Sequence, residues 1–127
     1  MAKKRSSMLS ALLVLLTLAL LLATVSCSSG GKQLPSLVFF QSATCPYCRE
    51  MKPIVDQIKS AHRGELKVVY ATLEDEEGKQ LADQHGILGF PVVLLLDAEG
   101  ERANLLRGVV PQPALERAVL DLIEAQQ

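Results

Sequence analysis

Cys45 and Cys48, separated only by Pro46 and Tyr47, lie where one pattern of hydrophobicity gives way to another. Before them, Leu37-Val38-Phe39-Phe40 is a short apolar run with β-branched and aromatic content, bounded by Pro35 and Ser42, and it reads as a buried strand. After them, Met51, Ile54, Val55 and Ile58 recur at i, i+3, i+4 and i+7, which gives a helix one apolar face. Thr44 is the expected cap of that helix. Pro46 falls in its first turn, where a missing N–H costs little. Pro53 lies inside the pattern and predicts a kink rather than an end. The dithiol therefore sits at a strand-to-helix corner.

The same reading continues along the chain. Gly64 closes the helix and "LKVVYATL", Leu66 to Leu73, is a second strand. "EDEEGKQLADQHG" is acidic where a helix N-terminus favours negative charge, and this short helix stops near Gly86. "GFPVVLLLDAEGER" places an apolar strand directly after a proline, with a turn at Asp97 to Gly100 and a returning strand over Arg102 to Arg107. From Pro111 or Pro113 onward, Leu115, Val119, Leu122 and Ile123 define a final amphipathic helix. The order is β-α-β-α-β-β-α. The first two strands, joined through a helix, are expected to be parallel with a right-handed crossover, and the last two an antiparallel hairpin. The predicted fold is α/β, a four-stranded mixed sheet with helices on both faces.

The N-terminus sets the address. Lys3, Lys4 and Arg5 precede 18 residues without charge, Met8 to Val25, and a small residue, Ser26, then precedes Cys27. This is the layout of a secretory signal, and it inflates the hydrophobic fraction of 49%. "LLATVSC" followed by "SSGGK" resembles a bacterial lipoprotein signal, which implies cleavage after residue 26, lipid on Cys27, and a membrane attachment through that lipid. An uncleaved signal-anchor and ordinary cleavage with release are the alternatives. All three place the following domain outside the cytoplasm, because the basic residues stay inside. Residues 28–36 read as a short tether reaching about 30 Å at roughly 3.3–3.6 Å per residue, and residues 37–127 as the folded domain. Without residues 1–26 the chain keeps 10 basic and 14 acidic side chains, a formal charge of −4, which argues against nucleic acid as a partner.

A Cys-x-x-Cys at a helix start has an electrostatic consequence. Cys45 lies among unpaired backbone N–H groups at the positive end of the helix dipole, so its thiolate is stabilised, whereas Cys48, one turn in, is more buried and less acidic. Cys45 is thus the expected nucleophile on a substrate disulfide and Cys48 the group that attacks the resulting mixed disulfide. Two other readings stay open at this point. A structural zinc needs four ligands, and the remaining candidates, His62 and His85, fall in separate elements. A purely structural disulfide would close a small loop and stabilise little. No metal and no cofactor is called for by the residues.

Phe90-Pro91, immediately before "VVLLL", supplies the second signature. With "FFQSATCPYCREMKP" and "LADQHGILGFPVVLLLDAEGE", it resembles the thioredoxin superfamily over nearly all of residues 36 to 125. The resemblance implies a thioredoxin-like fold, a cis-proline at Pro91 facing the dithiol, and a Phe90 backbone that pairs with the substrate chain. It places Gly108 near the active-site surface and Pro46 and Tyr47 on the substrate-binding surface beside Cys45. The Pro-Tyr dipeptide is similar to glutaredoxins, yet the Gly-Gly stretch that helps them hold glutathione is missing after Pro91, which argues against glutathione as the obligatory partner. Phe39 stands where thioredoxins usually carry a buried acid, Gln41 where tryptophan is usual, and Val92 where threonine is common.

Blander readings suit the remaining polar residues. His85 is expected to pack or face solvent, His62 to sit favourably at a helix C-terminus, and Arg49 and Lys52 to point into water. The expected activity is extracytoplasmic, membrane-tethered thiol–disulfide exchange with protein thiols and disulfides, supported by an electron donor or acceptor in the membrane. The rival is a non-catalytic lipoprotein that uses the same fold to bind a partner or a metal.

Overall fold

The computed structural model describes residues 2–22 and 31–127. Two units result, one ending at Lys32 and one spanning Gln33–Gln127. The first contains helix α1, Ala2–Leu22, whose described side chains, Met8 to Leu18, are exposed. Among the described residues no helix is long and apolar enough to cross a membrane. Cys27 and the predicted cleavage site lie outside the described residues.

The second unit runs β1 (Ser36–Phe40), α2 (Pro46–Ala61), β2 (Lys67–Ala71), α3 (Glu76–His85), β3 (Val92–Leu96), β4 (Arg102–Arg107) and α4 (Gln112–Ala125). The predicted element order is the observed one. The sheet order is β2-β1-β3-β4, with β1 and β2 parallel and the other pairs antiparallel. β1 is therefore central, and side chains alternating along it feed two cores. Leu37 and Phe39 join Met51, Val55 and Ile58 of α2 and Leu115, Val119 and Leu122 of α4 in one cluster. Val38 and Phe40 join Val92, Leu94 and Ala82 of α3 in the other. Helices thus cover both faces, two on one and one on the other.

Local chemistry explains the ends of the elements. The Asp75 carboxylate caps α3 by accepting the Gly78 N–H at 2.6 Å, with Glu76 and Glu77 in the first turn. Gly86 ends the helix in the left-handed region, φ 66°, where a side chain would be strained. Asp97 to Gly100 is the hairpin turn, closed by Gly100 N–H donating to the Asp97 carbonyl at 3.1 Å. Three boundaries differ from expectation. α2 stops at Ala61 with His62 as its C-cap, ahead of Gly64, because the next backbone amides turn back to the His62 carbonyl at 3.0–3.1 Å. β2 is shorter than Leu66 to Leu73. Packed chain also begins within the segment read as tether: Pro35 is buried, its carbonyl accepts from Lys67 N–H at 2.9 Å, and Ser36 already pairs in the sheet.

Candidate active site

Cys45 is the N-cap of α2. Its backbone is extended, and its Sγ accepts the Cys48 N–H at 3.2 Å. The cap is therefore the cysteine sulfur and not Thr44, whose hydroxyl instead lies 3.2 Å from the Ser42 hydroxyl. A bond from Cys45 N–H to the Ser42 carbonyl at 3.2 Å folds the preceding turn, which places Thr44 before the helix and swings the sulfur over its first amides. Pro46 opens the helix at a position that has no use for an N–H.

The two cysteines are joined as a disulfide, with Cα atoms 5.2 Å apart. Their exposure is unequal: Cys48 is 2% accessible and packs in the core with Met51 and Phe39, while Cys45 is half-buried. Beside them Tyr47 is 60% exposed. The Phe90-Pro91 peptide is cis, and Pro91 is buried, its carbonyl accepting the Gly108 N–H at 2.9 Å. Phe90 and Cys45 both pack against the core cluster that contains Cys48. Val110 N–H reaches Met51 Sδ at 3.4 Å, which ties the segment after β4 to the dithiol helix. Among the described residues no three ligating side chains converge on a metal position.

A family model described as a thioredoxin-like domain matches residues 27–123. The chain belongs to the thioredoxin-like family. It is 35% identical over 83 residues to a thioredoxin of Synechocystis sp., covering 65% of this chain and 75% of the relative. Thioredoxin 1 of a Nostoc species is 32% identical over 85 residues, covering 67% and 77%. Among solved structures, an uncharacterized thioredoxin-like protein from Clostridium perfringens superposes with a TM-score of 0.65 at 27% identity, covering 73% of this chain and 74% of that one. With its close cysteine pair, this thioredoxin-like protein is a thiol–disulfide oxidoreductase.

Within the thioredoxin-like frame, several polar groups take places that local patterns did not reveal. Lys52 does not simply point into water: its Nζ is 2.8 Å from the Asp56 carboxylate, and it lies 5.3 Å from the centroid of the Tyr70 ring, with Lys59 at 5.2 Å. The Tyr70 hydroxyl also donates to Asp56. Hydrogen bonds from Lys52 and then Tyr70 hold the Asp56 carboxyl below its usual range. The i, i+4 spacing of Lys52 and Asp56 on α2 was readable in sequence, but Tyr70 arrives from strand β2.

Burial, followed by the Asp56 hydrogen bond and charge, pushes Tyr70 up to about 12. In a Tyr47→Phe background, tyrosinate absorbance of the remaining Tyr70 is expected to titrate near that value. A midpoint at the ordinary value of about 10 would show that the part-buried Tyr70–Asp56 hydrogen bond does not hold the phenol proton. The raised value has a stability consequence of definite sign. Unfolded tyrosine loses its proton near pH 10 while the folded one keeps it, so this contribution is complete below about pH 10 and drains away as pH rises towards about 12.

His62 departs furthest from its sequence reading. Instead of merely sitting at a helix end, it is 6% exposed, and its Nε2 is 2.7 Å from the Glu116 carboxylate of α4. The contact joins the C-terminal end of α2 to α4 across the core face. His85 is half-buried in the last turn of α3, where its carbonyl accepts from the Arg102 guanidinium at 3.3 Å.

Proposed function

We propose that this domain works outside the cytoplasm, tethered to a membrane by lipid on Cys27, and exchanges disulfides with protein clients through Cys45 and Cys48. The carrying observation is the Cys48 N–H donated to Cys45 Sγ at 3.2 Å. A sulfur in that position at a helix N-terminus is stabilised as thiolate by the amide it accepts from and by the helix dipole. Cys45 attacks a client disulfide and forms a mixed disulfide. Cys48, one turn further and buried, attacks Cys45 Sγ and releases the client, leaving the domain oxidised and the client reduced. The reverse sequence donates a disulfide.

Tyr47, Pro46, Phe90 and Pro91 form the client-binding surface in this reading. The Pro91 carbonyl is occupied by Gly108, so backbone pairing with a client falls to Phe90. The location rests on the order of Lys3 to Arg5, the uncharged run and Cys27, with the basic end retained inside. A membrane-held electron donor or acceptor resets the dithiol after each turnover.

Expression of the full chain carrying Cys48→Ser in a bacterium tests both halves. Mixed disulfides through Cys45 should accumulate with extracytoplasmic proteins and fractionate with membranes, and a further Cys27→Ser change should release them. Absence of any mixed disulfide, with metal held through both thiols of the unaltered chain, would support the binding-protein reading instead.

A further inference from the structure

Cys48 must shed a proton before it can attack, yet it is 2% exposed and its core neighbours cannot accept one. The cluster around it is built from Leu37, Phe39, Met51, Val93 and other apolar side chains. Cys48 touches polar surroundings on a different side. A solvent-open cleft of about 360 Å³ beside the start of α2 is lined by Gln41, Ser42, Cys48, Lys52, Thr72 and Glu74 among others.

The charged groups facing this cleft are few. Arg49 and Lys52 reach it from α2, and Glu74 from the segment between β2 and α3; the stretch after β1 contributes only uncharged side chains, Gln41, Ser42 and Ala43. Lys52 is already engaged by Asp56, and Asp56 in turn by the Tyr70 hydroxyl. Glu74 is thus the carboxylate that lines the cleft, and its backbone N–H is fixed by the Thr72 hydroxyl at 3.2 Å.

We propose that water in this cleft carries the Cys48 proton to Glu74 during resolution of the mixed disulfide. The Cys48 S–H proton passes to cleft water and from it to the Glu74 carboxylate. The Cys48 thiolate attacks Cys45 Sγ, the bond between Cys45 and the client sulfur breaks, and the client leaves as thiolate. Two electrons pass to the client, and the proton on Glu74 returns to solvent or to the departing sulfur. Glu74 acts through water and never touches the reacting sulfurs. An exposed carboxylate in the cleft lining can accept a proton, which the apolar cluster around Cys48, Phe39 included, cannot.

The inference rests on Cys45 as nucleophile and Cys48 as resolving group, so the experiment times the two steps separately. With a disulfide-linked test protein and the full reduced chain, rapid quenching measures formation of the mixed disulfide and then its decay. Glu74→Gln should form the mixed disulfide within about twofold of the wild-type rate and resolve it about 10- to 100-fold more slowly near neutral pH. Its resolution rate should climb with pH, as hydroxide replaces the lost acceptor, where the wild-type profile is flatter. Gln41→Trp, which fills the cleft, should slow resolution in the same way, and Glu76→Gln, on the first turn of α3, should leave both steps unchanged. Wild-type resolution by Glu74→Gln overturns the proposal. So does a slowing by one constant factor at every pH, which is the mark of a structural effect. Failure to form any mixed disulfide, in the wild type as well, would instead count against the assignment of Cys45.

Discussion

Replacing Cys45 by serine is expected to reduce disulfide exchange with a protein substrate by on the order of 10³-fold or more, while the fold survives. The chemical loss is complete because the reacting species is a thiolate; a serine hydroxyl at the same cap is not ionised and forms no disulfide. Structure is retained for two reasons. Serine is itself a favoured N-cap, so its oxygen can accept the Cys48 N–H that Cys45 Sγ accepts at 3.2 Å. The disulfide it removes closes a four-residue loop, worth only about 2 kcal/mol by chain entropy. Insulin-type reduction assays paired with circular dichroism separate the two effects. Retained turnover in a folded Cys45→Ser variant would take the nucleophile's role away from this residue.

The largest stability effect is expected at Phe39. Its side chain is fully buried in the central strand, between Tyr70 of β2 and Val93 of β3 in register, and it meets the Tyr70 ring edge-on with centroids 6.2 Å apart. Truncation to alanine removes that burial and leaves a cavity walled by two strands and α2, which cannot collapse together to fill it. The expected cost is about 3–5 kcal/mol, a large part of the roughly 5–15 kcal/mol that holds a typical domain. Urea unfolding should show the midpoint falling with its slope unchanged. The contrast is Leu88, 91% exposed, where alanine should stay within about 0.5 kcal/mol. A Phe39→Ala loss below about 1 kcal/mol would mean that the central strand is not where the core is anchored.

Much of the fold was legible because it follows from short-range rules. The apolar run Leu37 to Phe40, the helical spacing from Met51 to Ile58 and the run Val92 to Leu96 each declare an element through periodicity alone. Asp75 and Gly86 bracket α3 by the chemistry of helix ends, and Asp97 to Gly100 turns the hairpin. The dithiol at a helix start was equally local, and so was the expectation that Cys45 is the more acidic thiol, because dipole and unpaired amides come with the helix itself. Thr44 was a reasonable cap by residue type, but a one-residue shift in where the turn closes handed that place to the Cys45 sulfur.

The remainder depended on partners distant in sequence. Periodicity tells which face of an element is apolar, not which element covers it. That β1 lies between β2 and β3, and that its two faces feed separate cores, came only from packing. Tyr70 meets Asp56, and His62 meets Glu116 across 54 positions, because the sheet and helices juxtapose them. No local pattern encodes such pairs. The sequence by itself determined the order of elements, the reactive pair and the residues flanking it. Tertiary structure alone decided that Cys48 faces an apolar core on one side and an open cleft bearing Glu74 on the other. Burial and access to a proton acceptor are properties of neighbours in space, and the chain acquires them only when it folds.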